Sequence, residues 1–224
     1  MNKKVREFIN EYSQAIDDNA WDEVYYKAST QLDSFTGALT DALLEAGIDP
    51  LNYLDYVPEA YCFGSKTTDI VLPEGIKTIS IDAFADSKLE KIDFPSSLKT
   101  IDYDAFQSCN LTEIDLHRVQ ELGSAVFLGC KKLQKAIIPA SVDTIPDGTF
   151  QGCTSLSSVE IEDGITRILS RAFANCVSLD EIFIPDSVTF ISMNAFPDHT
   201  DIKCHENSYA HEYCIAKDRN FILV

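Results

Sequence analysis

The sequence predicts an α+β repeat solenoid with a parallel sheet on one face, a helical N-terminal cap and a strand–helix–strand C-terminal cap. Three observations indicate this fold. One aromatic position recurs every 21 to 23 residues through the middle of the chain. Each copy continues into a short alternation of apolar and polar residues, which is typical of a strand with one buried face. The two ends of the chain lack the repeat, as expected for segments that close a stacked array.

The repeat is anchored on a phenylalanine, and in four of its six copies a cysteine follows three residues later. Successive anchors are 22, 21, 23, 23 and 23 residues apart, so the short intervals are interpreted as deletions in loops. A fixed period of this length is typical of a solenoid, in which stacking buries the face that one coil cannot bury alone. The anchors are Phe84, Phe106, Phe127, Phe150, Phe173 and Phe196.

A strand is predicted five or six residues after each anchor, where the pattern L-x-x-[apolar]-x-[apolar]-Pro recurs, as in LEKIDFP, LQKAIIP and LDEIFIP. The proline ends the strand because it cannot donate a hydrogen bond to a ladder. His117 in the second coil and Glu162 in the fourth replace this proline. Strands that recur once per coil pair at about 4.8 Å, so six coils form a parallel sheet along a rod about 30 Å long.

The N-terminal cap is assigned to residues 1–65, where apolar residues fall at helical spacing from Val5 to Ile16 and from Trp21 to Ala28. A third helix, within GALTDALLEAGIDPL, ends near Gly47. The segment LNYLDYVPEAYCF then leads to the first strand. Its aromatic residues are interpreted as cap packing rather than as a binding site.

The solenoid itself is assigned to residues 66–200 and the C-terminal cap to residues 201–224. The closing segment predicts a strand, a helix from about Ser208 to Asp218, and a final strand.

The repeat resembles a known family through AFxxC combined with L-x-x-I-x-I-P on a 23-residue period. It is similar to the BspA-like, or Treponema-type, leucine-rich repeat family over about residues 67–204. The resemblance implies a right-handed solenoid that is used mainly to bind proteins, and many members are secreted or attached to a surface. The N-terminal segment is also similar to leaders of phage-encoded members of this family.

The chain is strongly acidic, with 18 Lys and Arg against 36 Asp and Glu and a formal net charge of -18. This charge argues against direct binding of nucleic acid or anionic membranes and favours a partner with a neutral or basic surface. The start of the chain lacks the apolar core of a signal peptide, and no apolar run is long enough to span a bilayer. We therefore expect a cytoplasmic protein, in the host cytoplasm if it is phage-encoded. The seven cysteines, an odd number, agree with a reducing compartment.

The repeat cysteines are interpreted as small buried side chains, because free cysteine is among the most buried residue types. Disulfides within this column are not expected, since a coil spacing of about 4.8 Å exceeds the Cβ separation of about 3.5 to 4.5 Å that a disulfide needs. No known enzyme motif is present, so we expect neither catalysis nor a cofactor. The column comprises Ser87, Cys109, Cys130, Cys153, Cys176 and His199.

A zinc site is the alternative hypothesis for the segment CHENSYAHEYC, where Cys204, His205, His211 and Cys214 would supply two sulfurs and two nitrogens. Their spacing fits no established finger pattern. If the segment is a cap, Cys214 faces inward and the two histidines face water. We expect no metal here, although the sequence leaves the alternative open.

Strand alternation places two columns of side chains on the outer face of the sheet. In the first outer column, charges of opposite sign alternate over the middle coils, which predicts a solvated ladder. The second outer column combines neighbouring acids with apolar side chains, which suits a basic or amphipathic protein surface. The first outer column is Asp69, Lys91, Glu113, Lys135, Ser158 and Glu181. The second outer column is Val71, Asp93, Asp115, Ile137, Glu160 and Phe183.

The second outer column, together with Glu113 and Glu181, forms the candidate partner-binding set. Two functions of different class fit the sequence. The first is a non-enzymatic interaction module that holds a protein or peptide on its sheet face or N-terminal cap. The alternative is an acidic inhibitor that mimics nucleic acid and blocks a host nucleic-acid-binding or defence enzyme. The sequence specifies neither the partner nor the oligomeric state.

Overall fold

The computed structural model describes residues 3–32 and 36–224, and it confirms the predicted parallel-sheet solenoid with a helical N-terminal region. The N-terminal prediction also covered residues 1–2 and 33–35, which lie outside the described residues. The helices are α1 (Lys3–Glu11), α2 (Ser13–Asp17), α3 (Trp21–Gln31), α4 (Thr36–Glu45) and α5 (Tyr209–Lys217).

The first predicted helix is two helices, because the chain leaves helical geometry at Tyr12 (φ -103°, ψ 19°). The Tyr12 ring stacks on Phe8, with ring centroids 4.6 Å apart. Val5 and Phe8 on α1 and Ile16 on α2 are all buried.

Fifteen short strands form the body of the rod. They are β1 (Tyr56–Val57), β2 (Asp69–Val71), β3 (Thr78–Ile79), β4 (Lys91–Asp93), β5 (Thr100–Ile101), β6 (Glu113–Asp115), β7 (Glu121–Leu122), β8 (Lys135–Ile138), β9 (Thr144–Ile145), β10 (Ser158–Ile161), β11 (Arg167–Ile168), β12 (Glu181–Phe183), β13 (Phe190–Ile191), β14 (Asp201–Cys204) and β15 (Phe221–Leu223). The even-numbered strands and β15 are called the face strands, and the odd-numbered strands from β1 to β13 are called the back strands.

The face strands are the ones that the sequence predicted, and they pair in parallel. The back strands were not predicted. They pair in parallel as well, for example Ile79 with Ile101. Each has only two residues, too few to show alternation in the sequence. Stacking places every coil residue beside its equivalent, so even two extended residues can bond to the next coil.

The anchor phenylalanines form a continuous buried stack along the rod. Neighbouring ring centroids are 5.1 to 5.5 Å apart, and the ring planes are within 4° to 11° of parallel. Tyr61 extends this stack upstream, edge-on to Phe84 at 6.2 Å. Because β1 also pairs with β3, the coil geometry reaches back to Tyr56. In the β1–β3 register Cys62 occupies the anchor position, five residues after Val57 as Phe84 is five after Ile79, so a search for phenylalanine misses this additional turn.

The helical region packs on this upstream turn. The ring of Tyr25 on α3 lies 5.4 Å from that of Tyr61. On α4, Thr40 Oγ1 donates to the Tyr61 carbonyl, and the Gly37 N–H donates to the Phe63 carbonyl at 3.1 Å. These bonds satisfy polar groups at the end of the stack, where an open coil would expose them.

The C-terminal cap follows the predicted order of strand, helix and strand. Helix α5 begins after Ser208, whose Oγ accepts a hydrogen bond from the His211 N–H, and it ends at Asp218 in the left-handed conformation. None of the helices in the described residues is long and apolar enough to cross a membrane.

Candidate interaction surface

The two outer columns lie on the solvent side of the face strands, as the alternation predicted. The register pairs Asp69 with Lys91 in the first column and Val71 with Asp93 in the second. Two apolar members of the second column are exposed, Val71 at 74% and Phe183 at 36%. Ile137 is half-buried. The Phe183 ring lies edge-on to the His205 ring, and the two ring centroids are 5.5 Å apart. This contact helps to hold the Phe183 side chain in place on the surface.

The charge ladder predicted for the first column differs from the observed pairing. Lys91 Nζ lies 3.4 Å from Asp93 Oδ1 on its own strand, and no ion pair joins it to Glu113 in the described part of the chain. The cross-strand pair that does form is Lys203 with Glu181, at 2.6 Å. β4 and β6 are not hydrogen-bonded to each other, so Glu113 is not held beside Lys91. Glu113 also forms no ion pair with Lys135 among the described residues, although the register of β6 and β8 places the two residues opposite each other.

The face sheet is interrupted twice, between β4 and β6 and between β10 and β12, and we call the first interruption the split. Its strands are ordered β2-β4, then β6-β8-β10, then β12-β14-β15. Adjoining coils are joined by bonds from the Leu72 N–H to the Asp93 carbonyl and from the Leu116 N–H to the Ile137 carbonyl, both 3.1 Å. Across residues 3–32 and 36–224, no equivalent bond runs from the Phe94 N–H to the Asp115 carbonyl.

A groove of about 600 Å³ lies at the split. A second cavity of about 280 Å³ adjoins it and shares Phe94, Asp115 and His117 with the groove. The two together form one depression on the outer face of the first and second coils. Its lining includes Glu90, Asp93, Glu113, Lys91 and Lys135 on the groove side, and Glu74, Leu98, Arg118 and Val119 on the cavity side.

The split coincides with the shortened coils. In the first two coils the leucine is the fifth residue after the anchor, whereas in later coils it is the sixth. The second coil also lacks one residue after its strand, where Ser97, Ser141 and Ser187 stand in other coils. Those serine hydroxyls donate to carbonyls of the preceding coil at 2.6 to 2.8 Å. Without that residue the turn at His117 is shorter, and the cavity lies between this turn and Phe94.

The cysteine column is buried as predicted, and its thiols also form hydrogen bonds. The Sγ atoms of Cys109, Cys130, Cys153 and Cys176 donate to the anchor carbonyl of the preceding coil at 2.9 to 3.1 Å. Burial raises the pKa of the Cys109 and Cys176 thiols to about 12. The protonated thiol is therefore a small buried donor. His199 is exposed, and Thr200 Oγ1 donates to the Leu179 carbonyl at 2.7 Å instead.

The raised thiol pKa predicts loss of stability at alkaline pH. An unfolded thiol ionises near pH 8.5, so the folded state retains its proton more strongly between about pH 8.5 and 12. The stabilisation that each protonated thiol contributes is fully present below about pH 8.5, and it is lost progressively as the pH rises from about 8.5 to 12. We expect the stability difference between the wild type and Cys176→Ala to shrink by about 1 kcal/mol per pH unit from about pH 8.5 to 10. Urea unfolding at a series of pH values measures this, and parallel pH curves would contradict it.

The four side chains considered for a zinc site make other contacts in the structure. Cys204 and Cys214 are buried, which confirms the inward position predicted for Cys214. His205 Nδ1 lies 3.0 Å from both carboxylate oxygens of Asp186, and His211 Nδ1 accepts from the Asn207 N–H at 3.1 Å. His205 is exposed as predicted, whereas His211 is half-buried against Phe221. Within the described ranges no group of three or more His, Cys, Asp and Glu is arranged to hold a metal ion.

The aromatic N-terminal segment is divided between core and surface. Tyr61 and Cys62 are buried in the upstream turn, as cap packing predicted, whereas Tyr53 is 60% exposed. Tyr56 Oη donates to Asp22 Oδ1, and burial with this bond raises the pKa of Tyr56 to about 12. A depression of about 360 Å³ lies here between the helical region and the back strands. It is the second candidate surface.

The comparisons with known proteins agree with this architecture. Residues 56–139 and 77–203 match the family model described as BspA type leucine rich repeat region, with six copies. A crystal structure of a leucine-rich repeat protein from Eubacterium ventriosum is similar, with a TM-score of 0.52, 27% identity and coverage of 61% of this chain and 44% of that one. A search of curated proteins gave no match.

Two further solved structures resemble the chain less closely. The pneumococcal vaccine antigen PcpA has a TM-score of 0.47 and 20% identity, with 76% of this chain and 39% of that chain covered. The T. pallidum leucine-rich repeat protein has a TM-score of 0.39 and 24% identity, with 50% and 64% covered. The chain spans less than half of the length of the Eubacterium ventriosum protein and of PcpA.

Proposed function

The chain belongs to the BspA-type leucine-rich repeat family, and from that membership we propose that it is a non-enzymatic module that binds a protein or peptide partner on its sheet face. Leucine-rich repeat proteins typically serve as interaction modules. The observation that carries the proposal is the second outer column, in which the exposed Val71 and Phe183 and the half-buried Ile137 share one row with three carboxylates on a stacked scaffold. Interfaces of this kind use a few well-held apolar or aromatic anchors surrounded by polar groups.

The partner that we propose has a neutral or basic surface, because the chain carries a net charge of -18. The same charge disfavours nucleic acid and anionic membranes as direct ligands. We propose action in the cytoplasm, which agrees with seven buried free thiols.

The caps at residues 1–65 and 201–224 are proposed as closing units of the rod rather than as partners in catalysis. Support comes from the contact of Tyr25 with Tyr61 at one end and from the burial of Ala210 and Cys214 at the other. Stacked repeats need such units because a terminal coil leaves one side of its core open.

Replacing both Phe183 and Ile137 with alanine tests the sheet face. We expect at least about a tenfold loss of partner capture from a cell lysate, since anchors of this type contribute more than about 1 kcal/mol each. The rod should stay folded, because neither side chain belongs to the buried core. Val177→Ala is the matched control, since Val177 is an exposed apolar residue in a turn away from the face strands. If the double variant captures the partner as well as the wild type does, the partner binds the N-terminal cap rather than the sheet face.

The same capture at low and high salt tests the nucleic-acid-mimic alternative, which the net charge of -18 motivates. A mimic should retain nucleic-acid-binding proteins at low salt and lose them steeply as salt rises. The alternative fails if no such protein is captured at low salt.

A further inference from the structure

The split leaves unpaired two backbone groups whose equivalents are hydrogen-bonded at the β2–β4 and β6–β8 junctions. At the β2–β4, β6–β8 and β12–β14 junctions the N–H after one strand bonds to a carbonyl of the next strand, as Leu72 does to Asp93, whereas β10 and β12 are not hydrogen-bonded to each other. At the split the Phe94 N–H and the Asp115 carbonyl have no such partner in the described ranges, and both residues line the groove. The groove therefore offers a donor and an acceptor to a ligand.

Some charged residues that line the split form ion pairs, whereas others of both signs, Lys135 and Arg118 among them, form none in the described part of the chain. Lys91 is paired with Asp93 at 3.4 Å, and Glu90 is paired with Lys132 at 3.1 Å. In contrast, neither Glu113 nor Asp115 has a lysine or arginine within 4.0 Å among the residues that the structure describes. Asp115 Oδ1 accepts the His117 N–H at 3.0 Å, which fixes its carboxylate at the edge of the depression. These two carboxylates lie on one strand, β6, and are complementary to a cation.

The depression also has an apolar floor. The cavity beside the split is lined by Phe94, Leu98, Leu116 and Val119, beneath a rim that includes Asp115 and His117. Volumes of about 280 and 600 Å³ are within the size range of sites that hold side chains and small ligands. Phe94 is half-buried and lines both the groove and the cavity, so part of its side chain is accessible to a bound group.

We propose that the split is the docking site for a basic segment of the partner protein, with an arginine directed at Glu113 and Asp115 and an adjacent apolar side chain in the cavity over Phe94. This inference rests on the proposed interaction function. Arginine fits better than lysine, because its planar fork can bind a carboxylate and donate to a backbone carbonyl at the same time. Its flat face also stacks on an aromatic ring.

The test uses the full chain and a defined probe, the peptide acetyl-GLRLRG-amide, with lysine, glutamine and glutamate versions in place of both arginines. Backbone amide shifts of isotope-labelled protein measure the position and affinity of binding. We expect the arginine peptide to shift the amides of Phe94, Glu113, Asp115 and His117, with weaker effects from the lysine peptide and none from the glutamate peptide. Binding should weaken as salt rises.

The variant Glu113→Gln with Asp115→Asn removes both charges and keeps the side-chain shapes. We expect its affinity for the arginine peptide to be at least about tenfold lower, equivalent to about 1.4 kcal/mol. Glu160→Gln is the matched control, because Glu160 lies in the same outer column on β10, which is fully paired with β8. Its affinity should remain within about twofold of the wild type.

Shifts centred away from the split, unchanged affinity in the double variant, or no binding of the arginine peptide would each overturn the inference. Partner capture separates this failure from failure of the proposed function. If the charge variant captures its partner normally and Phe183→Ala, which leaves the groove lining unchanged, does not, the split is wrong and the function stands. If the peptide binds at the split but no protein is captured, the proposed function fails and the chemistry of the split stands.

Discussion

Replacing Phe150 with alanine is expected to lower the free energy of unfolding by about 3 to 5 kcal/mol. Phe150 is fully buried and stacks on Phe127 at 5.3 Å and on Phe173 at 5.4 Å. Its removal interrupts the stack in the middle of the rod. The face strands on either side of it, β8 and β10, are hydrogen-bonded in register, so they resist collapse into the cavity. The cost should therefore fall in the upper part of the range for large-to-small core substitutions.

Urea unfolding followed by circular dichroism measures this loss. Phe183→Ala is the control, because it removes the same side chain from an exposed position and should cost less than about 1 kcal/mol. A loss for Phe150→Ala as small as that of the control would mean that the stack is not a main source of stability.

Replacing Gly123 with alanine is the second substitution for which we expect a large effect. A Cβ at this position would lie 2.4 Å from the Tyr103 nitrogen and 2.6 Å from the Asp102 carbonyl carbon, both backbone atoms of the preceding coil. Backbone cannot yield as a flexible side chain does, so neighbouring coils must separate. We expect a destabilisation of about 1 to 3 kcal/mol or more, as for other overpacked sites.

Ser80→Ala provides the comparison for Gly123→Ala. Ser80 occupies the equivalent position after β3, where a Cβ is already accommodated, and its replacement should change stability by less than about 0.5 kcal/mol. Thermal unfolding of both variants gives the difference. Equal melting temperatures would show that the second coil can move away from the first without cost.

The candidate surface depends on the same stacking that these two predictions test. The face strands are only three or four residues long, and stacking of the coils sets the register that aligns the outer columns. A variant that loosens the stack should therefore also disturb the alignment of the outer columns, to which Phe183 and Asp115 belong.

The candidate site was predictable in part. Alternation correctly placed Val71, Glu160 and Phe183 on the solvent side of the face strands. It could not show that Lys91 pairs with Asp93 rather than Glu113, because the repeat pattern assumes that every coil is joined to the next. The shortened intervals and the missing proline at His117 were the available signals for the split.

The sequence by itself determined the solenoid, the positions of the anchors and face strands, and the order of elements in the C-terminal cap. These features are periodic or local, so they can be read from spacing alone. Tertiary structure decided the back strands, the upstream turn at Tyr61, the thiol hydrogen bonds, the close approach at Gly123 and the split. Each of these depends on how far one coil lies from the next, and a residue more or less in a turn alters that distance without changing the pattern of core residues.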